Sequence, residues 1–125
     1  DMKLPIQYAL AFPERLRSDF PRFNFLDFPQ LTFEQADPKT FRNLQLAFDS
    51  LKRGGNAPCI LNAANEVAVQ LFLGEKISFT GMSDLIESCL EKVTFIEKPN
   101  LEDYFSTDEK TRELAIQLHA ESVQN

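Results

Sequence analysis

Two asparagines and a glutamate interrupt an otherwise apolar helical pattern near the middle of the chain, in the stretch Leu61-Asn62-Ala63-Ala64-Asn65-Glu66. At about 100° per residue, Asn62, Asn65 and Glu66 fall on one face of this helix, and apolar residues cover the other face. Asparagine costs roughly 0.6 kcal/mol relative to alanine inside a helix, because its side chain competes for backbone groups. We therefore expect the helix to bury one face and to offer amide and carboxylate groups for hydrogen bonding on the other. A polar face that is simply solvated is the alternative.

No other combination of residues in the sequence predicts catalysis or metal binding. The pair Gly54-Gly55 is better explained as the end of a helix than as a phosphate-binding turn. His119 has no nucleophile or carboxylate nearby in the sequence that would make it a catalytic base. The acidic residues of the helical patterns lie on ordinary polar faces: Asp84, Glu87, Glu91, Asp108, Glu109 and Glu113. We therefore expect no catalytic residue and no metal site in this chain.

Length, charge and cysteine content narrow the class of protein. The 125 residues suffice for one domain with a single core, and the formal net charge of −6 argues against nucleic acids and anionic membranes as partners. A basic, apolar leader and a run of about 18 apolar residues are both lacking, so we expect neither secretion nor membrane insertion. Cys59 and Cys89 sit in apolar helical patterns without C-x-x-C spacing, and we expect them to be buried free thiols of a cytoplasmic protein.

Residues 1–36 are expected to form a short helix and an extended linker. Pro5 suits the first turn of a helix over Ile6–Phe12, and Pro13 ends it. Residues 13–36 contain five phenylalanines at no consistent period and three prolines, which indicates an extended connection. A short strand is expected at Leu31–Gln35.

Residues 37–125 are expected to form a four-helix bundle-like domain, which makes the fold class all-α. Asp37 as N-cap begins the first helix, whose apolar residues recur at three- and four-residue steps: Phe41, Leu44, Ala47, Phe48 and Leu51. The second helix begins near Asn56 or Ala57, carries the asparagine-rich face and ends at Gly74.

The third helix is expected to start at Thr80 or Gly81. It has the clearest apolar stripe in the sequence: Met82, Leu85, Ile86, Cys89, Leu90 and Val93. Ser106 and Glu109 have the spacing of a capping box, which predicts the start of the last helix there. The apolar line of that helix is thinner, and consists of Leu114, Ala115, Leu118 and Ser122.

Five segments resemble one enzyme family. The stretch at 61–66 resembles the Leu-Asn-Ala-Ala-Asn-Glu signature near the C-terminus of the 1-deoxy-D-xylulose-5-phosphate reductoisomerases. Four further segments resemble family segments in the same order: Asp1-Met2-Lys3-Leu4-Pro5-Ile6, Phe12-Pro13-Glu14-Arg15, Leu31-Thr32-Phe33-Glu34 and Ile77-Ser78-Phe79-Thr80. Lys3 stands where the family usually has arginine, which keeps the charge but loses a planar, bidentate donor.

The resemblance implies a C-terminal fragment, in which a linker leads from the end of a catalytic domain to a helical domain. The family isomerises a phosphorylated ketose and reduces it with NADPH, using a divalent cation (Mg or Mn), in the non-mevalonate route to isoprenoid precursors. The partners implied are the missing N-terminal and catalytic domains of the same protein, in a homodimeric parent. The fragment alone is expected to be inactive, with no cofactor of its own.

The resemblance also suggests roles for a few residues. Asn62, Asn65 and Glu66 would be structural polar anchors, with direct substrate contact left open. Met2 is a candidate for the cofactor pocket, because its motif resembles a segment near the nicotinamide, where a flexible thioether packs on a ring. The alternative is that Met2, beside the first residue of this chain, is simply disordered.

A second hypothesis is an autonomous helical interaction module that uses the Phe-rich arm. Four short helices cannot cover five phenylalanines in a proline-broken segment, and large exposed apolar patches usually mark interfaces.

Overall fold

Five α-helices make up the regular structure of this computed structural model, which describes residues 2–123 and the side chains of residues 2–122. They are α1 (Lys3–Ala11), α2 (Arg42–Arg53), α3 (Ala57–Leu73), α4 (Phe79–Lys92) and α5 (Leu101–Val123). Asp1, the first residue of the first motif, lies outside the described residues, as do Gln124 and Asn125. The all-α prediction is confirmed.

The prediction of a strand at Leu31–Gln35 is wrong. The chain is irregular there, and no strand occurs between residues 2 and 123. A strand needs a neighbour to accept and donate its backbone hydrogen bonds, and alternation of apolar residues does not supply that neighbour.

The chain divides into two compact units, Asp1–Glu34 and Gln35–Asn125. The second unit is built around α3, which packs against α2, α4 and α5. Its core contains the following buried residues: Leu46, Ile60, Ala64, Ala68, Met82, Leu85, Ile86, Cys89 and Ala115. The apolar sides predicted for α3 and α4 are therefore largely confirmed.

Small residues allow α3 to occupy the centre. Ala57, Ala63, Ala64 and Ala68 are all fully buried, and together they lie on the sides of α3 that meet its neighbours. Because an alanine side chain is small, it lets the axis of a second helix approach closely. Ala64 and Ala68 therefore share one core with the larger buried residues of α4 and with Ala115 of α5.

Two helix starts differ from the sequence prediction. The Asp37 carboxylate accepts hydrogen bonds from the Lys39 amide at 3.0 Å and the Thr40 hydroxyl at 2.5 Å, so that it stabilises a turn, and α2 begins only at Arg42. The last helix begins at Leu101, because Asn100 and Asp103 each accept a 2.9 Å hydrogen bond from the other's backbone amide. This reciprocal pair is a capping box six residues earlier than the predicted one at 106–109.

Smaller shifts occur at the other starts. Helix α1 begins at Lys3 instead of Ile6. Helix α4 begins at Phe79, since the hydroxyl of Ser78 accepts a hydrogen bond from the Gly81 amide at 3.0 Å and so caps the helix.

The first unit has no core of its own. No residue between 2 and 34 is buried. It is held by local contacts, among them a hydrogen bond from the side-chain Nε2 of Gln7 to the carbonyl oxygen of Leu16 at 3.3 Å, and Phe23 stacked on Phe28 at 5.2 Å between ring centroids. An arm of this kind buries too little apolar surface to be stable alone.

Candidate functional site

The polar face of α3 lies as the sequence predicts, opposite the buried alanines. Asn62 and Glu66 are exposed, and Asn65 is half-buried. Glu66 accepts a hydrogen bond at 2.7 Å from Arg112, a residue of α5. The face therefore presents amide groups to the surroundings and uses its carboxylate to hold α5.

Arg112 is the centre of a small ionic network between α3 and α5. Its guanidinium donates to Asp108 at 2.7 Å and 3.1 Å, in addition to the bond to Glu66. The hydrogen bonds to Asp108 and then to Glu66 raise the pKa of Arg112 above its ordinary value. The side chain is thus fixed as a bidentate donor on the same surface as the asparagines.

An open groove borders this network. It has a volume of about 510 Å³ and is lined by Asn65, Glu66, Val67, Val69, Gln70, Leu71, Lys76, Arg112 and Ile116. Charged and amide groups thus line it together with aliphatic side chains. Such a mixed surface suits contact with another polypeptide.

Asn56 is a fully buried polar residue of the helical unit, which the sequence analysis treated only as a possible start of α3. Asn56 is 0% exposed. Its Nδ2 donates to the carbonyl oxygen of Thr94 and to the hydroxyl of Thr107, both at 3.1 Å, and its Oδ1 accepts from the Ile96 amide at 2.9 Å. Although Asn56 precedes α3, its side chain does not cap that helix.

These contacts fix the connection between α4 and α5 against the turn between α2 and α3. The Asn56 amide also donates to the Ile96 carbonyl at 3.0 Å, and the guanidinium carbon of Arg53 lies 4.3 Å from the centre of the Phe95 ring. Gly55 makes this close approach possible, because a Cβ atom there would overlap the Ile96 carbonyl oxygen. The signal that the sequence offered was an asparagine between a Gly-Gly pair and an apolar helix.

Met2, the candidate cofactor contact, is exposed (67%) just before α1. A cavity of about 440 Å³ lies within the same unit, lined by Leu4, Pro5, Gln7, Tyr8, Arg15, Leu16 and Ser18. The guanidinium carbon of Arg15, from the second motif, lies 5.9 Å from the centre of the Tyr8 ring. Leu4 and Pro5 of the first motif and Arg15 of the second thus line one cavity.

The cysteines are both free, with Cys89 buried and Cys59 half-buried. Burial raises the pKa of the Cys89 thiol to about 11, so that it is protonated near neutral pH. Among the described residues, no group of three or more His, Cys, Asp or Glu side chains is placed to hold a metal ion. None of the described helices is both long and apolar enough to cross a membrane.

A helical unit joined to an arm without a core is the organisation of an accessory domain within a larger protein. A family model agrees: residues 1–114 match the DXP reductoisomerase C-terminal domain. The chain belongs to this family of DXP reductoisomerase C-terminal domains.

Curated relatives agree with the family match. The chain is 56% identical over 118 residues to the 1-deoxy-D-xylulose 5-phosphate reductoisomerase of Phocaeicola vulgatus, covering 94% of this chain and 31% of the relative. It is 53% identical over 118 residues to the reductoisomerase of Bacteroides fragilis, covering 94% of this chain and 30% of that protein. The chain thus spans less than a third of the length of these relatives.

Solved structures show the same fold within longer chains. A reductoisomerase from Zymomonas mobilis in complex with NADPH matches with a TM-score of 0.82 and 38% identity, covering 95% of this chain and 32% of that one. A DOX-P reductoisomerase in complex with NADPH, fosmidomycin and magnesium matches with a TM-score of 0.84 and 34% identity, covering 100% of this chain and 33% of that one. The comparisons do not favour the alternative of an autonomous interaction module.

Proposed function

We propose that this chain is the linker and C-terminal helical domain of a longer 1-deoxy-D-xylulose-5-phosphate reductoisomerase. That enzyme would use NADPH and a divalent cation, Mg or Mn, in the non-mevalonate route to isoprenoid precursors. The observation that carries the proposal is 56% identity to a reductoisomerase over 94% of this chain. In this proposal residues 1–36 are the connection and residues 37–125 are the domain.

The domain's role is support without chemistry of its own. Catalytic groups must be held to within about 0.5 Å of their working positions, and that precision needs packing from elements behind them. Residues 2–34 have exposed apolar side chains that can pack against a neighbouring domain, and α3 has a polar face that can form hydrogen bonds with one. The metal ligands and the dinucleotide fold would belong to the part of the enzyme outside this chain.

Asn62, Asn65 and Glu66 act as polar anchors in this proposal. Asn62 and Asn65 have amide groups directed away from the core of the unit, where they can satisfy backbone groups of a neighbouring domain. A buried backbone group without a partner costs roughly 1–3 kcal/mol, so these two side chains would stabilise the contact between domains. Glu66 acts indirectly, because it holds Arg112 beside them.

Met2 is proposed to pack on the nicotinamide ring of NADPH. The side chain is free to do so, since it is exposed and lies at the start of a helix that can fix its position. Hydride transfer itself would take place between the cofactor and the substrate.

We also propose a homodimeric parent in the cytoplasm, with no nucleic acid or membrane as a partner. The net charge of −6 supports the last part, and the two free thiols are typical of a reducing compartment.

The proposal is tested by NADPH oxidation in the presence of substrate and Mg²⁺. We expect turnover from the full-length protein and none from the 125-residue chain alone. Turnover by this chain alone would refute the assignment, and so would a full-length protein without reductoisomerase activity.

A substitution tests the anchors in the full-length enzyme. We expect Asn65→Leu to lower both the melting temperature and the activity, because it leaves polar groups of the neighbouring domain unpaired. Gln117→Leu is the matched control, since it exchanges an exposed amide on α5 for the same apolar side chain. Equal behaviour of the two variants would place Asn65 in solvent.

A further inference from the structure

Helix α2 turns its apolar stripe away from the core. Leu46 and Ser50 are the buried residues of this helix, whereas Phe41 just before it, Phe48 and Leu51 are 57%, 59% and 73% exposed. Leu44 lies on the same stripe and is half-buried. The buried side of α2 is therefore narrow, and most of the apolar side chains of this helix are left exposed by this unit.

The stripe continues across the surface to α4. Phe41 and Phe79 line one cavity of about 290 Å³. Phe79 in turn lies edge-on to Phe72 at the end of α3, with 6.0 Å between ring centroids. The exposed residues Leu51, Phe48, Phe41, Phe79 and Phe72 thus form one surface, which we call the aromatic ridge.

We propose that the aromatic ridge is a docking surface for the part of this polypeptide that precedes residue 1. This inference rests on the proposed function. The matched region covers only 31% of the Phocaeicola vulgatus relative, and it is a C-terminal domain, so most of a protein of that length lies on its N-terminal side. A segment of that length is enough to cover a surface spanning three helices.

The chemistry of the ridge fits a permanent contact within one chain. Four of its five residues are phenylalanines, contributed by three helices and the segment before α2. Contacts between domains that never separate are the most apolar. The ridge also begins at Phe41, close to the point where the chain enters the helical unit. A preceding domain is tethered there at a high effective concentration, which favours it over a second copy of the chain.

The test measures how fast a thiol on the ridge reacts in the full-length protein. Phe48→Cys and Leu51→Cys are alkylated with iodoacetamide, and modification of each site is quantified by peptide mass spectrometry. Glu113→Cys, an exposed position on α5, is the control. A covered site reacts only after local opening, so we expect the ridge positions to react about 10-fold or more slowly than the control. In concentrated urea all three rates should become equal.

Three outcomes would overturn the proposal. Reaction of both ridge positions at the control rate would show that the ridge is open to solvent. Loss of protection on dilution, at concentrations where light scattering shows the dimer dissociating, would assign the cover to a second copy. Protection that persists in concentrated urea would show that the thiols are slow for reasons unrelated to docking.

Two variants guard against misfolding at one position, and circular dichroism confirms that each is folded. The labelling does not require activity. If the ridge thiols are protected but the protein does not oxidise NADPH, the docking surface is supported and the proposed reaction is refuted. If the protein oxidises NADPH but the ridge thiols react at the control rate, the reaction is supported and the docking surface is refuted.

Discussion

Replacing Asn56 with alanine should destabilise the helical unit far more than its position beside a turn suggests. The substitution removes the side-chain hydrogen bonds to the Thr94 carbonyl, the Thr107 hydroxyl and the Ile96 amide. Each is worth about 1 kcal/mol net, so the free energy of unfolding should fall by about 3 kcal/mol. The lost bonds include two that link the α4–α5 connection to the turn before α3.

The assay is urea unfolding of the 125-residue chain, followed by far-ultraviolet circular dichroism. With an m-value of about 1–1.5 kcal/mol/M for a unit of this size, the midpoint should fall by about 2–3 M. Asn62→Ala is the matched control, because the same chemical change is made at an exposed position of α3. There the higher helix propensity of alanine should leave stability unchanged or raise it by about 0.5 kcal/mol.

The reasoning is refuted if the two variants have the same midpoint. That result would mean that Thr94, Ile96 and Thr107 find other partners at no cost when the Asn56 side chain is absent. A change of slope without a change of midpoint would instead indicate an altered unfolded state.

Two other predictions follow from the geometry of this unit. In the same urea assay, Gly55→Ala should lower the free energy of unfolding by about 2 kcal/mol or more beyond the loss caused by Gly54→Ala. Both glycines have positive φ, but only at Gly55 would a methyl group collide with the Ile96 carbonyl. Similar losses for both would show that the collision is relieved by movement of the connection. The hydrogen bond from Arg42 lowers the pKa of Glu87 below its ordinary value of 4.5. The ionised Glu87 therefore stabilises the folded state fully above pH 4.5, and this stabilisation is lost as the pH falls through the lowered pKa. The stability difference between the unsubstituted chain and Glu87→Gln should therefore shrink on acidification, with Glu91→Gln as the control, and a difference constant with pH would contradict the pairing.

Helices with one apolar side were predictable from periodicity alone. The stripe of α4 and the small residues of α3 identify their own buried faces, because each helix meets its neighbours on one side. The same rule found α2, but it does not tell whether the apolar stripe of that helix faces the core of this unit or another surface. Apolar periodicity predicts which face of a helix is buried, but it does not predict which other element buries that face.

Local signals were ambiguous where two of them competed. The pairs Asn100–Asp103 and Ser106–Glu109 both have capping-box spacing, and the earlier pair begins the helix because Pro99 and the Asn56 contacts fix the chain just before it. Long-range polar contacts had no local signal at all. Glu66 and Arg112 are far apart in the sequence, and only packing of α3 on α5 brings them together.

The position of α3 has a consequence for the way this unit can lose structure. Each of the other three helices of the unit rests on α3, and its buried alanines offer no bulk that would fill the space if one neighbour left. Peeling away α2, α4 or α5 would open the centre of the unit to water. We therefore expect melting in a single cooperative transition, in which trimming α5 back past Ala115 abolishes folding altogether instead of merely shortening a helix.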